Sequence, residues 1–345
     1  MTIKNEWPLA AVSIAYALIN HVDKMYVVDN GSRDGTWQGL KILQEIFPDR
    51  LVVFYYESEY YDQKAISHAL GHMGSYQEDQ AHWALSLDAD EFLIKNFPET
   101  LKEYLEKASS SWHSVELEVF NYIPPQGFQD CDLDSYAMIE FTVRSYSQFI
   151  SAEEFKTQAR AGKLYFQQYK TGGKVAFKME LHKRLGHAAH QIDYGDAIRY
   201  QIHDSRTATL TQRDLLYLAH LPYTSLKRLG NRTRLRHTET PESPFRFFRG
   251  DNIDDLSDVL ASITIDKSSQ LFHNSLETES VVIDNRFSES IKSVFPVLGP
   301  RWQEIVSAPY IKGESSNQQF ALFVDMAAEY IELLDMLWIA REEIE

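Results

Sequence analysis

Met25-Tyr26-Val27-Val28-Asp29-Asn30-Gly31-Ser32-Arg33-Asp34-Gly35-Thr36 is the stretch on which the fold turns. A short apolar run empties into a dense cluster of turn formers, which predicts a buried strand opening into a loop. Downstream, Trp37, Leu40, Leu43 and Phe47 recur at helical spacing up to Pro48, and residues 51–56 form a second β-rich run. Upstream, Trp7, Ala11, Ile14 and Leu18 mark an amphipathic helix within residues 8–19, too short to span a membrane. Ala65, Ile66, Ala69, Leu70 and Met73 outline one face of a further helix, after which Trp83, Leu85 and Leu87 alternate into Asp88-Ala89-Asp90-Glu91. Strands alternating with such helices imply right-handed crossovers and an α/β fold with a mostly parallel sheet covered on both faces. Ligands of these sheets bind beyond the carboxyl ends of the strands, where both acidic loops are expected.

Composition narrows the function. Lys plus Arg is 34 against 50 Asp plus Glu, a net charge of −16. Nucleic-acid affinity comes largely from cations set against phosphates, so a general polyphosphate surface is excluded, and any anionic substrate needs a metal or a local basic cluster. The hydrophobic share of 44% rules out disorder as the main state. Cys131 is the one cysteine, so no intrachain disulfide is available and a reducing, cytoplasmic compartment is expected.

A chain of 345 residues exceeds what one core organises, so a large domain with an appendage, or two domains, is expected. The division read from the pattern is an α/β domain over 1–224, its halves 1–95 and 96–224, and a mainly helical C-terminal region over 225–345. Past Ser114, Val115, Leu117 and Val119 alternate with charged residues, which predicts mixed or antiparallel additions to the sheet. Near the C-terminus, Phe323, Ala327, Tyr330, Leu334 and Leu337 step at the 3.5-residue average of a helical seam. That helix is expected either to pack on the α/β domain or to build a homodimer. Its acidic polar face argues against an anionic membrane surface, and no membrane span is expected.

Asp88 and Asp90 end an apolar run, where a pair of carboxylates can turn towards one hard cation such as Mg²⁺ or Mn²⁺. By contrast, His68-x-x-x-His72 lacks the Glu of a metalloprotease helix, and Lys170-Thr171-Gly172 has no Ser-x-x-Lys partner. Neither a phosphate-binding P-loop nor a dinucleotide-binding glycine motif is present.

Lys4-Asn5-Glu6, then a helix, then Val27 to Thr36, then Tyr61-Asp62-Gln63-Lys64, then Leu87-Asp88-Ala89-Asp90-Glu91-Phe92 resembles the ordered motifs of family 2-type glycosyltransferases with the GT-A fold. The match is good over roughly the first 95 residues and loose over the next 130. The resemblance implies a Rossmann-like GT-A domain, a UDP-sugar donor, Mn²⁺ or Mg²⁺ on the Asp-x-Asp motif, inversion at the anomeric carbon, and a glycan or glycolipid acceptor. It also implies work on a bacterial surface glycan from the cytoplasmic side, peripheral to the membrane.

Carried over to this chain, Asp29 would contact the nucleobase, Asp88 the ribose or metal, Asp90 the metal, and Lys64 the base or phosphates. Asn5, Glu6, Asn30 and Asp34 would line the donor site with them. His220, and after it His190, match the histidine that the family places near the metal. Arg228, Arg232, Arg234 and Arg236 follow His220 as candidate diphosphate ligands or as an exposed basic face. The family's first strand is barely present here and its Glu-Asp base signature is absent. Asp193 and Asp196 are the candidates for the base by position, with Glu91 and Glu180 open beside them. The rival readings are a nucleotidyltransferase, for which the Gly- and Arg-rich phosphate loop is missing, and a non-catalytic glycan- or partner-binding module on a transferase scaffold.

Overall fold

The computed structural model describes residues 1–57, 63–76, 83–107, 114–127, 135–146, 173–178, 183–185, 192–194, 207–209, 215–224, 264–313, 320–329 and 331–332, with pieces of 154–168. The opening motifs build as the sequence predicts. β1 (Thr2–Ile3), β2 (Met25–Asp29) and β3 (Leu51–Tyr55) lie parallel in that order, joined by helices α1 (Leu9–Asn20) and α2 (Thr36–Ile46). α1 departs from its amphipathic reading: every residue from Leu9 to Leu18 is buried. Helices 286–306 cover the side that was expected to face water, with Tyr16 Oη 3.1 Å from Ser290 Oγ and Asn20 Nδ2 2.9 Å from Ser293 Oγ. A helix buried all round must be apolar all round, and Ala10, Ala11, Ala15 and Ala17 let its neighbours approach closely.

The second sheet is mixed, so the mostly parallel expectation holds for the first sheet only. Its order is β4 (Trp83–Leu85), β8 (Lys174–Lys178), β6 (Ser114–Asn121), β12 (Leu216–His220) and β5 (Glu91–Lys95), with β11 (Thr207–Thr209) also beside β6. β6 runs parallel to β12 and β11, while the pairs β4–β8, β6–β8 and β12–β5 are antiparallel. β7 (Val143–Ser145) pairs with β13 (Val281–Ile283), and β9 (Lys183–Leu185) with β10 (Ile192–Tyr194).

The C-terminal helix, residues 320–329 continuing at 331–332, packs within the chain. Phe320, Val324, Ala327 and Ile331 are buried against Val28, Phe54 and the face of α3 (Gln63–Tyr76) that carries Ala65, Ile66, Ala69, Leu70 and Met73. Of the seam read from the sequence, Ala327 is buried here and Phe323 lies at the edge of the cluster, while Tyr330, Leu334 and Leu337 fall outside the described residues. Among the described residues no helix is long and apolar enough to cross a membrane.

Candidate active site

The first acidic loop is sewn to the head of α1 by its own side chains. Ser32 N donates to Asp29 Oδ1 at 2.9 Å, a turn that Asp residues favour. Asn5, in the left-handed region at φ 56°, donates its backbone N–H to Ser32 Oγ at 2.9 Å and accepts Arg33 N–H on Oδ1 at 2.6 Å. Asp34 accepts from Thr36 N at 3.0 Å and from the Thr36 hydroxyl on Oδ1, and from Trp7 N at 3.3 Å on Oδ2. Asn5 and Asp34 are thus engaged in shaping the loop. Glu6, half-buried, accepts Ala10 N–H on its carbonyl at the start of α1.

Asp29 and Asn30 differ from these neighbours. Both are wholly buried, yet among the described residues Asp29 Oδ2 and both polar atoms of the Asn30 amide meet no hydrogen-bond partner. Each such atom costs about 1–3 kcal/mol, so the loop holds polar capacity that the described residues leave unused. Burial pushes the Asp29 carboxyl up from 3.8 to about 6, with the hydrogen bonds from Ser32 pulling the other way.

Strand register assembles the second site. His220, the last residue of β12, stands opposite Glu91 of β5 and opposite Asn121 of β6. Its Nδ1 is 2.6 Å from Asn121 Oδ1 and its Nε2 is 3.3 Å from Asp90 Oδ2. An amide oxygen only accepts, so with Asn121 oriented this way Nδ1 carries the proton. Nε2 and a carboxylate oxygen at that separation need positive charge between them, whether a second proton or a metal ion. An imidazole anchored through its other N–H on an oxygen acceptor is the arrangement that metal-binding histidines adopt.

Asp88 and Glu91 share a different cation. Lys174, fully buried at the start of β8, places Nζ 3.1 Å from Asp88 Oδ2 and 3.3 Å from Glu91 Oε2. Burial alone would lower its pKa, but attraction to Glu91 and Asp88 outweighs that and raises it. Glu91 is pushed up by its own burial, against the pull of Lys174. Glu91 Oε2 also accepts Asp88 N–H at 2.8 Å, so Asp88 is held through backbone and side chain alike.

The donor set fits a divalent ion. Asp90 and His220 would hold it, and a carboxylate oxygen with an imidazole nitrogen suits Mn²⁺ better than Mg²⁺. Among the described residues no group of three or more His, Cys, Asp and Glu forms a metal cage. Ions of this class complete their shell with water and substrate phosphates.

The structure brings Asp90 and His220, both read from the sequence as metal candidates, within 3.3 Å, and places Asn121 and Lys174 beside this cluster, which the sequence reading did not name. Asn121 had a signal, since it continues the period-two face of Val115, Leu117 and Val119. Lys174 had none. Lys64 begins the first turn of α3, but its side chain lies outside the described residues, as do His190, Asp196, Glu180 and the arginines from Arg228 to Arg236. Asp193 sits in β10 opposite Arg184, with its side chain likewise outside them. No protein-family model matches the chain, and no curated protein matches it in sequence.

Proposed function

We propose that this chain is a metal-dependent, inverting glycosyltransferase of the GT-A type, moving a sugar from a UDP-sugar to a glycan or glycolipid acceptor at the cytoplasmic face of a membrane. The observation that carries the reading is His220, anchored on Asn121 and turned on Asp90 Oδ2 at 3.3 Å. A carboxylate and an oriented imidazole, beside the Asp88–Lys174–Glu91 cluster, make a cation site at the end of a sheet. Asp29 Oδ2 and the Asn30 amide support the donor assignment, because an acceptor beside a donor–acceptor pair complements the N–H and carbonyls of a pyrimidine edge.

When bound, the ion supplies electrostatic stabilisation of the diphosphate leaving group. The chain's own residues do the rest. Asp90 and His220 hold, Asn121 orients, and Asp29 with Asn30 reads the base. Inversion needs a carboxylate that takes the acceptor hydroxyl's proton on the face opposite the leaving group. Glu91 is engaged by Lys174 and Asp88 N–H, so in this reading the role falls to Asp193, Asp196 or Glu180.

The test is UDP-sugar hydrolysis with and without Mn²⁺. Asp90→Asn and His220→Ala, folded by circular dichroism, are expected to lose about 100-fold or more of the Mn²⁺-stimulated rate and to bind Mn²⁺ more weakly in calorimetry. Rates near wild type in both variants would remove the site from the reaction. Release of pyrophosphate in place of UDP would move the protein to nucleotidyl transfer.

A further inference from the structure

After the helix Trp302–Val306, residues 308–313 pass as an irregular strap across the loop that follows β2 and the end of β3. Two glycines permit this. A Cβ on Gly35 would collide with the Ala308 carbonyl, and a Cβ on Gly313 with the Tyr55 ring. Tyr55 is the strand partner of Asp29, so the strap lies against the neighbour of the residue that opens the first acidic loop, and at Gly35 against that loop itself. Lys312 Nζ is 2.9 Å from Glu57 Oε2, Arg33 Nη2 is 2.9 Å from Glu57 Oε1, and the Tyr55 hydroxyl is 3.3 Å from Glu57 Oε2. The Lys312 and Arg33 side chains are 63% and 66% exposed.

Exposed ion pairs contribute little stability, so holding the chain together is a weak reason for this arrangement. A plain linker to the helix at 320–329 would not need glycine at both points of contact. What the arrangement achieves is to set two cations side by side in solvent, oriented by one carboxylate, on a chain whose net charge is −16. We propose that residues 308–313 complete the donor site: the strap covers the loop of Asp29 and Asn30, and Lys312 with Arg33 takes a phosphate of the nucleoside diphosphate. This rests on the UDP-sugar reading above.

Calorimetry of the full chain with UDP and with uridine, in Mn²⁺, tests it. Lys312→Ala is expected to weaken UDP about three- to tenfold while leaving uridine affinity and thermal stability unchanged. Gly313→Ala, which forces the strap off Tyr55, is expected to weaken both ligands. UDP affinity unchanged in both variants, with Asp29→Ala abolishing binding, overturns the role of the strap and leaves the donor reading standing. Failure of the wild-type chain to bind UDP overturns both.

Discussion

Asp29 concentrates the conflict between stability and function in one side chain. Its carboxyl titrates at about 6 in the folded chain against 3.8 ordinarily, because burial disfavours the charged form. Between those values the native state holds the proton that the unfolded chain has released. The group's contribution is therefore fully present below about pH 4 and lost as pH rises through 6, at a cost of roughly 3 kcal/mol. Asp29→Asn is expected to be more stable than wild type at pH 8 by up to that amount, and to show no such gain at pH 4, in urea melts at the two pH values. UDP affinity should move the opposite way. Wild-type affinity is expected to fall below pH 6 as the acceptor oxygen is protonated, and the Asn variant to bind about tenfold or more weakly with no step near pH 6. A wild-type profile flat between pH 5 and 8 would refute the assignment of Asp29 to the base.

Elements show which parts of the molecule local pattern controls. α1, β2, α2 and β3 were legible because each strand and helix carries its own periodicity and each loop its own turn chemistry, whereas β1, two residues long, carries none. The mixed character of the second sheet was legible past Ser114, but its strand order was not, since its neighbours come from stretches as distant as Glu91 and His220, and pairing over such separations leaves no local mark. The same reason divides the candidate site: Asp29, Asp88 and Asp90 stand in recognisable loops, whereas Lys174 meets Asp88 only through tertiary structure. At the C-terminal helix Phe323 and Ala327 pack where the sequence reading put them, but Phe320, Val324 and Ile331 were missed, because Phe320 and Phe323 are equally apolar and only the sheet beneath ranks them. Phe320 is fully buried and stacks on Phe54 with centroids 4.6 Å apart. Phe320→Ala is expected to cost about 3–5 kcal/mol and to raise amide exchange across 320–329 before the rest of the chain, which mass spectrometry would register. With Phe320, Val324, Ala327 and Ile331 buried within the chain, the protein is expected to scatter light as a 39.9 kDa monomer.

At the scale of the whole molecule, the chain closes on itself through one buried carboxylate. Asp284 follows β13, and its Oδ2 lies 2.7 Å from Arg144 Nε of β7 and accepts the Tyr217 hydroxyl of β12 at 2.9 Å. Arg286, at the start of the following helix, binds both carboxylate oxygens, and Tyr217 passes the network on to Tyr122 at 2.9 Å. Burial alone would raise the Asp284 pKa, but the hydrogen bonds from Arg286 and Arg144 outweigh it and hold the carboxyl far below the usual range. Arg144 is 2% exposed and its guanidinium stacks over Phe120 at 4.1 Å, so it has no route to water if the carboxylate is removed. Leaving a buried charge without its counter-ion costs about 3–5 kcal/mol, far more than an exposed pair would. The same residue joins the returning segment 281–306, which covers α1, to the sheet that carries His220. Asp284→Ala is therefore expected to lower the melting temperature by roughly 5 °C and, through β12, to weaken Mn²⁺ binding although no metal ligand is touched. Arg144→Met with Asp284→Leu, which removes both charges together, should recover most of the stability. A double variant no more stable than Asp284→Ala would mean that the network holds the C-terminal return by geometry rather than by charge.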